Sequence, residues 1–321
     1  MGKKVYLKTP HVQALKTLIE VLATILVDVT IEFIGNKIKT PSVDEKGKKT
    51  KKHSQETKNA PFNGLKILAT SSEKNVLICL KLYATEFTDF SCKSKPDNRY
   101  LIGVNIASLH KLMGTIDNKE DTLELYIDND DIQSLVLSVS YSKMGRKSDS
   151  KLRLIEYEPV SITPPPVEAD VMITMSASEF HRICKDMMRI GSEVEIKCTM
   201  STLIFTCIGD NMSIDKRYTI SEDGIKIVFT NQNKNLIIQG MYKLRDINMF
   251  SKCASLSTHV QLMMKVNKYP LIIQYTVATL GDFIACISPI EPKISDTTYG
   301  ENEELYASDE EIELKGDFTN A

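Results

Sequence analysis

The sequence predicts an α+β protein in which antiparallel sheets lie over pairs of helices. Amphipathic helical segments recur four times along the chain, and each is followed by several segments with the alternation of a strand. The order of these elements in the first half returns in the second, so a unit of one helix and a meander of strands occurs about four times. A chain of 321 residues can hold two such domains, each with its own core. We therefore expect two similar domains, each with two of these units.

In the first half, a helix is predicted from His11, with one apolar side and a polar side that carries Lys16 and the opposing charge of Glu20. A second helix is predicted at 107–115. A turn is expected at 71–74. The predicted strands of this half lie at 27–33, 65–71, 75–84, 86–94, 100–106, 121–127, 134–142 and 151–158.

In the second half, the same order returns after the proline-rich segment 161–168, which cannot continue a central strand and therefore predicts a linker. Helices are predicted at 177–190 and 241–254. The predicted strands lie at 171–176, 193–199, 201–209, 213–220, 224–230, 235–241, 259–267, 269–277 and 282–288. The expected domains are an N-terminal domain at 1–158, a linker at 159–168, a C-terminal domain at 169–293 and a tail at 294–321.

Charge is distributed unevenly along the chain, although the formal net charge is only −2. The segment 36–62 is rich in lysine and low in complexity, which predicts an inserted loop in the N-terminal domain. The tail carries mostly acidic residues and is predicted to be disordered. Near-neutral charge can therefore combine a basic surface with an acidic one. For the lysine-rich loop, a nuclear-import signal, a DNA-contacting arm and a solvated tether all stay open.

The helix predicted at 177–190 has a row of cations. Arg182, Lys185 and Arg189 recur at i, i+3 and i+7, on the side opposite the apolar stripe. Such a row suits a phosphate backbone. A surface helix also normally carries charges on its solvated side, so this spacing alone leaves both interpretations open.

The other helices repeat parts of this pattern. In the helix at 241–254, Arg245, Asn248 and Lys252 have the same spacing. The fragment at 109–113 matches that at 180–184 position by position, which puts Lys111 in the place of Arg182. This recurrence strengthens the case for a nucleic-acid contact, and a solvated surface stays open as the other interpretation.

Residues for catalysis or metal binding are not indicated by any motif. The seven cysteines are scattered without a C-x-x-C pair, which predicts buried free thiols in a reducing compartment. Glycine-rich phosphate-binding motifs and zinc-ligand spacings are absent from the sequence. His110 and His181 occupy equivalent repeat positions, which disfavours a role as a catalytic general base. No secretory signal or membrane-spanning run is found. We expect an intracellular protein that is not an enzyme, with no cofactor, metal, small-molecule substrate or membrane contact.

Four segments resemble the proliferating cell nuclear antigen family of DNA sliding clamps. They lie at 102–113, 178–198, 244–264 and 269–293, in the order of the internal repeat. The similarity runs from about residue 11 to 292, apart from the segment 36–62. The resemblance implies a homotrimeric ring with helices lining the hole and sheets outside. The insertion and the Lys-, Asn- and Ile-rich composition indicate a divergent lineage, such as that of a large DNA virus.

The function implied by this resemblance is that of a polymerase processivity factor. Duplex DNA would pass through the ring without sequence preference, and the ring would tether DNA polymerase and other replication or repair proteins after opening by a clamp loader. It would act in a nucleus or at a viral replication site. The DNA-facing residues would be Lys16, Lys111, Arg182, Lys185, Arg189, Arg245 and Lys252. Gly114 stands where the family has another base, so the first domain would bind DNA less strongly than the second.

The subunit interface implied by the resemblance pairs the strand at 151–157 of one copy with the strand at 213–220 of the next. The residues concerned would be Leu152, Leu154, Ile214 and Tyr218. Ser150 replaces a family aromatic at this edge, which weakens the expected trimer.

The family's partner site lies beneath the linker, where partner peptides insert apolar side chains into a pocket. Its residues here would be Leu77, Ile162, Pro270, Cys286 and Pro289. Thr70 and Cys286 replace what are usually a Met and a Tyr, and three consecutive prolines stiffen the linker. We therefore expect a shallower pocket with altered peptide preference.

Two alternatives stay open at this stage. One is a checkpoint-type clamp subunit that works only within a heterotrimer. The other is a monomeric or dimeric processivity subunit that holds DNA on one basic face without forming a ring. The size of the purified chain in solution separates them from a homotrimer.

Overall fold

The computed structural model describes residues 2–35, 62–94, 97–116, 122–141, 145–157, 169–221, 224–230, 236–266 and 269–290. The lysine-rich segment, the linker and the tail therefore lie almost entirely outside the described residues.

The fold is built from four copies of one unit, a strand, a helix and three further strands. In the first half, a short fifth strand follows the first unit. The first unit comprises β1 (Lys3–Thr9), α1 (Val12–Ile25), β2 (Asp28–Ile34), β3 (Gly64–Thr70) and β4 (Val76–Tyr83), followed by β5 (Asp89–Cys92). The second comprises β6 (Arg99–Asn105), α2 (Ile106–Gly114), β7 (Thr122–Asp128), β8 (Ser134–Tyr141) and β9 (Arg146–Arg153).

The second half has the same organisation. The third unit comprises β10 (Val171–Ser176), α3 (Ala177–Met187), β11 (Glu193–Cys198), β12 (Thr202–Ile208) and β13 (Ser213–Thr219), followed by the short β14 (Lys226–Phe229). The fourth comprises β15 (Ile238–Lys243), α4 (Leu244–Ser251), β16 (His259–Met264), β17 (Leu271–Val277) and β18 (Gly281–Ile287). Short 3-10 helices lie at Ala84–Glu86 and Lys252–Ser255. The four-fold repeat predicted from the sequence is confirmed.

The described strands form three antiparallel sheets. Their strand orders are β5-β1-β7-β8-β9, β14-β10-β16-β17-β18-β4-β3-β2-β6 and β13-β12-β11-β15. The nine-stranded sheet crosses from one half to the other, because β18 pairs with β4 over seven residues, from Gly281 opposite Leu82 to Ile287 opposite Val76.

The helices form one continuous layer against the sheets. Helix α1 packs against α2, α3 packs against α4, and α1 also contacts α4 across the boundary between the halves. The core lies between this layer and the sheets, with side chains such as Leu22, Phe180 and Phe250 fully buried. Burial of a side chain of this size stabilises the fold by roughly 1.5–3 kcal/mol relative to exposure. The α+β architecture of helices under antiparallel sheets is thus the predicted one.

Several elements differ from the predictions. Strand β1 was not predicted, although Val5, Leu7 and Thr9 alternate and are buried. Helix α3 ends at Met187 rather than at 190, and α4 ends at Ser251 and continues as a 3-10 turn.

Strand β9 lies five residues earlier than predicted, at Arg146–Arg153 instead of 151–158. After Arg153 the chain leaves the sheet, and the Ile155 amide donates to the Gly103 carbonyl of β6 at 3.0 Å. A Cβ atom on Gly103 would lie 2.5 Å from the Ile155 oxygen, so this crossing requires glycine. The strand was misplaced because it lies at a sheet edge, where polar residues such as Ser148 and Ser150 weaken the alternation.

Candidate nucleic-acid interface

Helix α3 presents cations on the side away from the sheets. Arg182 and Lys185 are exposed, whereas Phe180, Ile183 and Met187 are buried. The helix begins at Ala177 because the Ser176 hydroxyl accepts from the Glu179 amide, a standard N-terminal cap. Arg189 is exposed too, but it lies in the turn that follows the helix, so the predicted row consists of two helical residues and one turn residue.

Acidic side chains compensate part of this row. Arg182 donates to both carboxylate oxygens of Glu179, at 3.0 and 2.8 Å, and the Tyr218 hydroxyl donates to Glu179 at 2.6 Å. The Arg182 hydrogen bonds, followed by that from Tyr218, hold the pKa of Glu179 below its ordinary value. Lys185 and Arg189 form no salt bridge with any residue in the described part of the chain, so they carry the uncompensated charge of α3.

On the same helix, Asp186 is paired outside the cation row. Lys216 of β13 donates a hydrogen bond to its carboxylate and thereby lowers its pKa. This pair ties the end of α3 to the edge strand β13.

Helix α4 contributes two more cations. Arg245 is 75% exposed at its side chain and lies 3.6 Å from Glu73, which belongs to the turn between β3 and β4 of the first half. Lys252 begins the 3-10 turn after α4 and is exposed. Asn248 is only partly exposed, because it accepts from the buried Ser251 hydroxyl.

The first half contributes one exposed helical cation, Lys111 of α2. Lys16 is half-buried, and its ammonium donates to the Ile116 carbonyl that follows α2. The structure therefore places the Lys16 ammonium in a contact between α1 and the end of α2. Glu20 is exposed on α1. We call the six exposed cations the basic helical face; they are Lys111, Arg182, Lys185, Arg189, Arg245 and Lys252.

A small apolar cluster lies on the side of the nine-stranded sheet that faces away from the helices. The strand registers place Met263, Ile272, Cys286 and Leu77 beside one another across β16, β17, β18 and β4. Met263, Ile272 and Cys286 are buried in a cluster separate from the main core, with Leu77 partly buried against them. Burial raises the pKa of the Cys286 thiol to about 11, so it stays protonated at neutral pH.

The predicted pocket residues fall around this cluster. Leu77 and Cys286 are direct cross-strand neighbours, with Thr70 paired to Leu77 on the next strand. Pro270 precedes β17 and Pro289 follows β18, at the end of the sheet where Leu271 and Ile287 pair; both prolines are half-buried. Ile162 lies outside the residues that the structure describes.

Strands β9 and β13, which carry the predicted subunit interface, each lie at the edge of a sheet. Each of β9 and β13 pairs with one described strand only, β8 and β12 respectively. Of the predicted interface residues, Leu152 is buried and points into its own core, whereas Leu154, Ile214 and Tyr218 are half-buried. A group of exposed cations on β9 was not among the predicted site residues, although the composition of this strand already indicated it: Arg146, Lys147, Lys151 and Arg153.

Across the described ranges, no three His, Cys, Asp or Glu side chains lie close enough together to hold a metal ion. Among the helices of those ranges, none combines the length and the apolar character needed to cross a membrane.

Comparisons with known proteins agree with this geometry. Family models of the N-terminal and C-terminal domains of proliferating cell nuclear antigen match residues 53–159 and 164–290. The crystal structure of proliferating cellular nuclear antigen from Entamoeba histolytica superposes with a TM-score of 0.73 at 19% identity, covering 90% of this chain and all of that one. That likeness shows the fold.

Two viral relatives are similar in sequence. The probable DNA polymerase sliding clamp of Acanthamoeba polyphaga mimivirus is 29% identical over 253 residues, covering 77% of this chain and 52% of that protein. The chain thus spans about half the length of this relative. The probable DNA polymerase sliding clamp 1 of Paramecium bursaria Chlorella virus 1 is 27% identical over 236 residues, covering 71% of this chain and 84% of that protein.

Proposed function

Because the chain belongs to the proliferating cell nuclear antigen family, we propose that it is a DNA polymerase sliding clamp. Three copies would form a ring that encircles duplex DNA, moves along it and holds a polymerase at the primer end. The protein would act wherever this DNA is replicated, in a nucleus or at a viral replication site.

The basic helical face is the observation that carries this proposal. One continuous layer of four helices presents six exposed cations, and four of them have no salt bridge to a described residue. Arginine and lysine side chains on such a layer meet phosphates, and phosphate contacts carry no sequence information. Counterion release gives an affinity that is the same for any duplex, which suits a protein that slides.

The open edges of β9 and β13 support a ring. They lie in different sheets, one in each half of the chain, so pairing between them is head-to-tail. A head-to-tail contact repeated by a rotation closes into a ring, and unpaired strand edges supply the hydrogen-bonding groups. Within this interface, Leu154, Ile214 and Tyr218 would be covered by the neighbouring copy, and Leu152 would support the edge from inside.

The small apolar cluster supports a partner-peptide site. Leu77, Pro270, Cys286 and Pro289 would form it together with Ile162, and its partners would be DNA polymerase and other proteins with a clamp-binding peptide. Since Cys286 and Thr70 are smaller than Tyr and Met, we expect a shallow pocket with its own peptide preference. Ile162→Asp should abolish peptide binding, and an unchanged affinity would place the site elsewhere.

Retention on DNA tests the proposed function directly. The purified chain should elute as a trimer of about 108 kDa, three times its mass of 36.1 kDa. Loaded with its clamp loader on a nicked circle, it should stay bound and then slide off once the circle is cut. Equal retention on circular and linear DNA would indicate a non-ring DNA-binding subunit. A monomer that assembles only with other chains would indicate a subunit of a heterotrimer.

A further inference from the structure

The end of the described chain is fixed beside the basic helical face. The Ile290 amide donates to the Met241 carbonyl at 2.8 Å, and Met241 lies in β15, which runs directly into α4. From the rise per residue of a strand and a helix, Arg245 lies roughly 10–15 Å from this anchor. Everything after residue 290 therefore starts next to α4.

The sequence beyond this anchor is strongly acidic. Residues 296–317, which we call the acidic segment, contain nine Asp or Glu residues and a single lysine. An extended chain spans at most about 3.3–3.6 Å per residue, so the eleven steps from Ile290 to Glu301 reach up to roughly 40 Å. Helix α4 is about 12 Å long and a packed helix lies about 8–10 Å away, so α3 and α4 are both within reach.

The basic helical face offers charges that match this segment. Lys185, Arg189 and Lys252 are exposed and have no salt bridge to a described residue. A long row of uncompensated cations attracts any flanking polyanion, and carboxylates of the same chain are present at high effective concentration.

The lysine-rich segment 36–62 is the alternative binding site for the acidic segment, but it starts farther from the Ile290 anchor than the basic helical face does. It leaves the described chain after Gly35 and returns at the start of β3, whereas the other end of β3 leads to the turn that contacts α4 through Asn75 and Asp246. The Ser288 amide donates to the Asn75 carbonyl at 2.9 Å, which places the anchor at this turn. The seven residues of β3 separate the two points by roughly 23 Å.

We propose that the acidic segment lies along the basic helical face when DNA is absent and that duplex DNA displaces it. The segment is then a built-in competitor that weakens binding to DNA outside the loading reaction. This consequence rests on the proposed function, whereas the contact between the segment and the helices does not.

Zero-length crosslinking of the full-length chain tests the contact. A carbodiimide at low salt, without DNA, should join carboxylates of the acidic segment to Lys185 and Lys252, identified by mass spectrometry of the peptides. Lys226 is the matched control, since it is exposed on β14 at the far side of the sheet. Crosslinks that favour Lys226 or the lysines of 36–62 would overturn the proposal.

A tail with fewer acidic residues tests the competition. Glu301, Glu303, Glu304, Glu310 and Glu311 are changed to Gln in the full chain, and affinity for a short duplex is measured by fluorescence anisotropy. We expect binding about tenfold tighter near 50 mM salt, converging with the native chain near 0.5 M, because both contacts are electrostatic. Equal affinities at low salt would overturn the competition. Crosslinks to Lys185 and Lys252 without any DNA binding would refute the DNA-binding function and leave the contact standing.

Discussion

Glu179 sets how much positive charge α3 presents. Arg182 donates two hydrogen bonds to it and Tyr218 donates a third, so its carboxylate stays ionised and compensates the neighbouring guanidinium. Exposed pairs of this kind contribute little to stability. The effect of Glu179 is therefore expected mainly in DNA binding, through the charge that it removes from the basic helical face.

The substitution Glu179→Gln should strengthen DNA binding a few-fold at low salt. Freeing Arg182 adds about one phosphate contact, so the slope of log affinity against log salt should steepen by roughly 0.9. The measurement is fluorescence anisotropy over a salt series. Glu195→Gln, the same charge change on β11, is the control. If both variants gained equally, net charge rather than the position of Glu179 would be responsible.

Acid stability should also depend on Glu179. Its folded pKa lies below the ordinary value of 4.5, so the stabilisation from its partners is fully present above about pH 4.5 and is lost as the pH falls through the folded value. The free energy of unfolding of the native chain should therefore fall more steeply below pH 4.5 than that of Glu179→Gln. Denaturant titrations from pH 3 to 7 measure this, and parallel curves would contradict the role of the ionised carboxylate.

At the scale of elements, the edge strand β9 is suited to pair with a second chain. The Leu154 amide donates to Gln133 on the β8 side at 2.8 Å. Since successive backbone groups of a strand point to opposite sides, the Lys151 and Arg153 amides point to the open edge. These donors are available for β13 of a neighbouring copy.

Lys151→Pro tests this pairing. Proline removes the amide that faces the open edge, while the hydrogen bonds to β8 stay intact. The ring should weaken, with the monomer–trimer midpoint shifted about tenfold or more to higher concentration, because each lost hydrogen bond costs about 1 kcal/mol. Analytical ultracentrifugation measures the midpoint. Lys151→Gln loses the same salt bridge to Asp131 but keeps the amide, and it should remain a trimer. An unchanged midpoint for the proline variant would exclude β9 from the interface.

The sequence predicted the helices better than the edges of the sheets. The apolar stripe of α3 follows from local spacing, and Phe180, Ile183 and Met187 are buried as expected. The contact of Lys16 was not predictable, because its partner carbonyl on Ile116 lies 100 residues away and depends on the packing of α1 against α2. The position of β9 was missed for a similar reason, since an edge strand has fewer buried neighbours to impose a pattern.

At the scale of the whole molecule, the two halves are joined on both layers. The nine-stranded sheet is continuous through β18 and β4, and α1 contacts α4 in the helical layer. Beside them, Glu73 lies 3.4 Å from Lys243 and 3.6 Å from Arg245, and Asn75 donates to the buried Asp246. A chain built in this way presents its four helices as one surface, so the contributions of the two halves to DNA binding can be compared directly.

The second half should dominate that binding. It supplies five of the six cations of the basic helical face, whereas the first half supplies Lys111 alone and exposes Glu20 on α1. The double variant Lys185→Gln/Lys252→Gln should lower the slope of log affinity against log salt by about 2, at roughly 0.9 for each lost phosphate contact. The double variant Lys16→Gln/Lys111→Gln should lower this slope by only about 1, because Lys16 is held by the Ile116 carbonyl. Both losses should be the same on duplexes of unrelated sequence, since no base edge is contacted. Equal slopes for the two variants would assign Lys16 to the DNA-facing side, and a loss confined to one sequence would require contacts to bases.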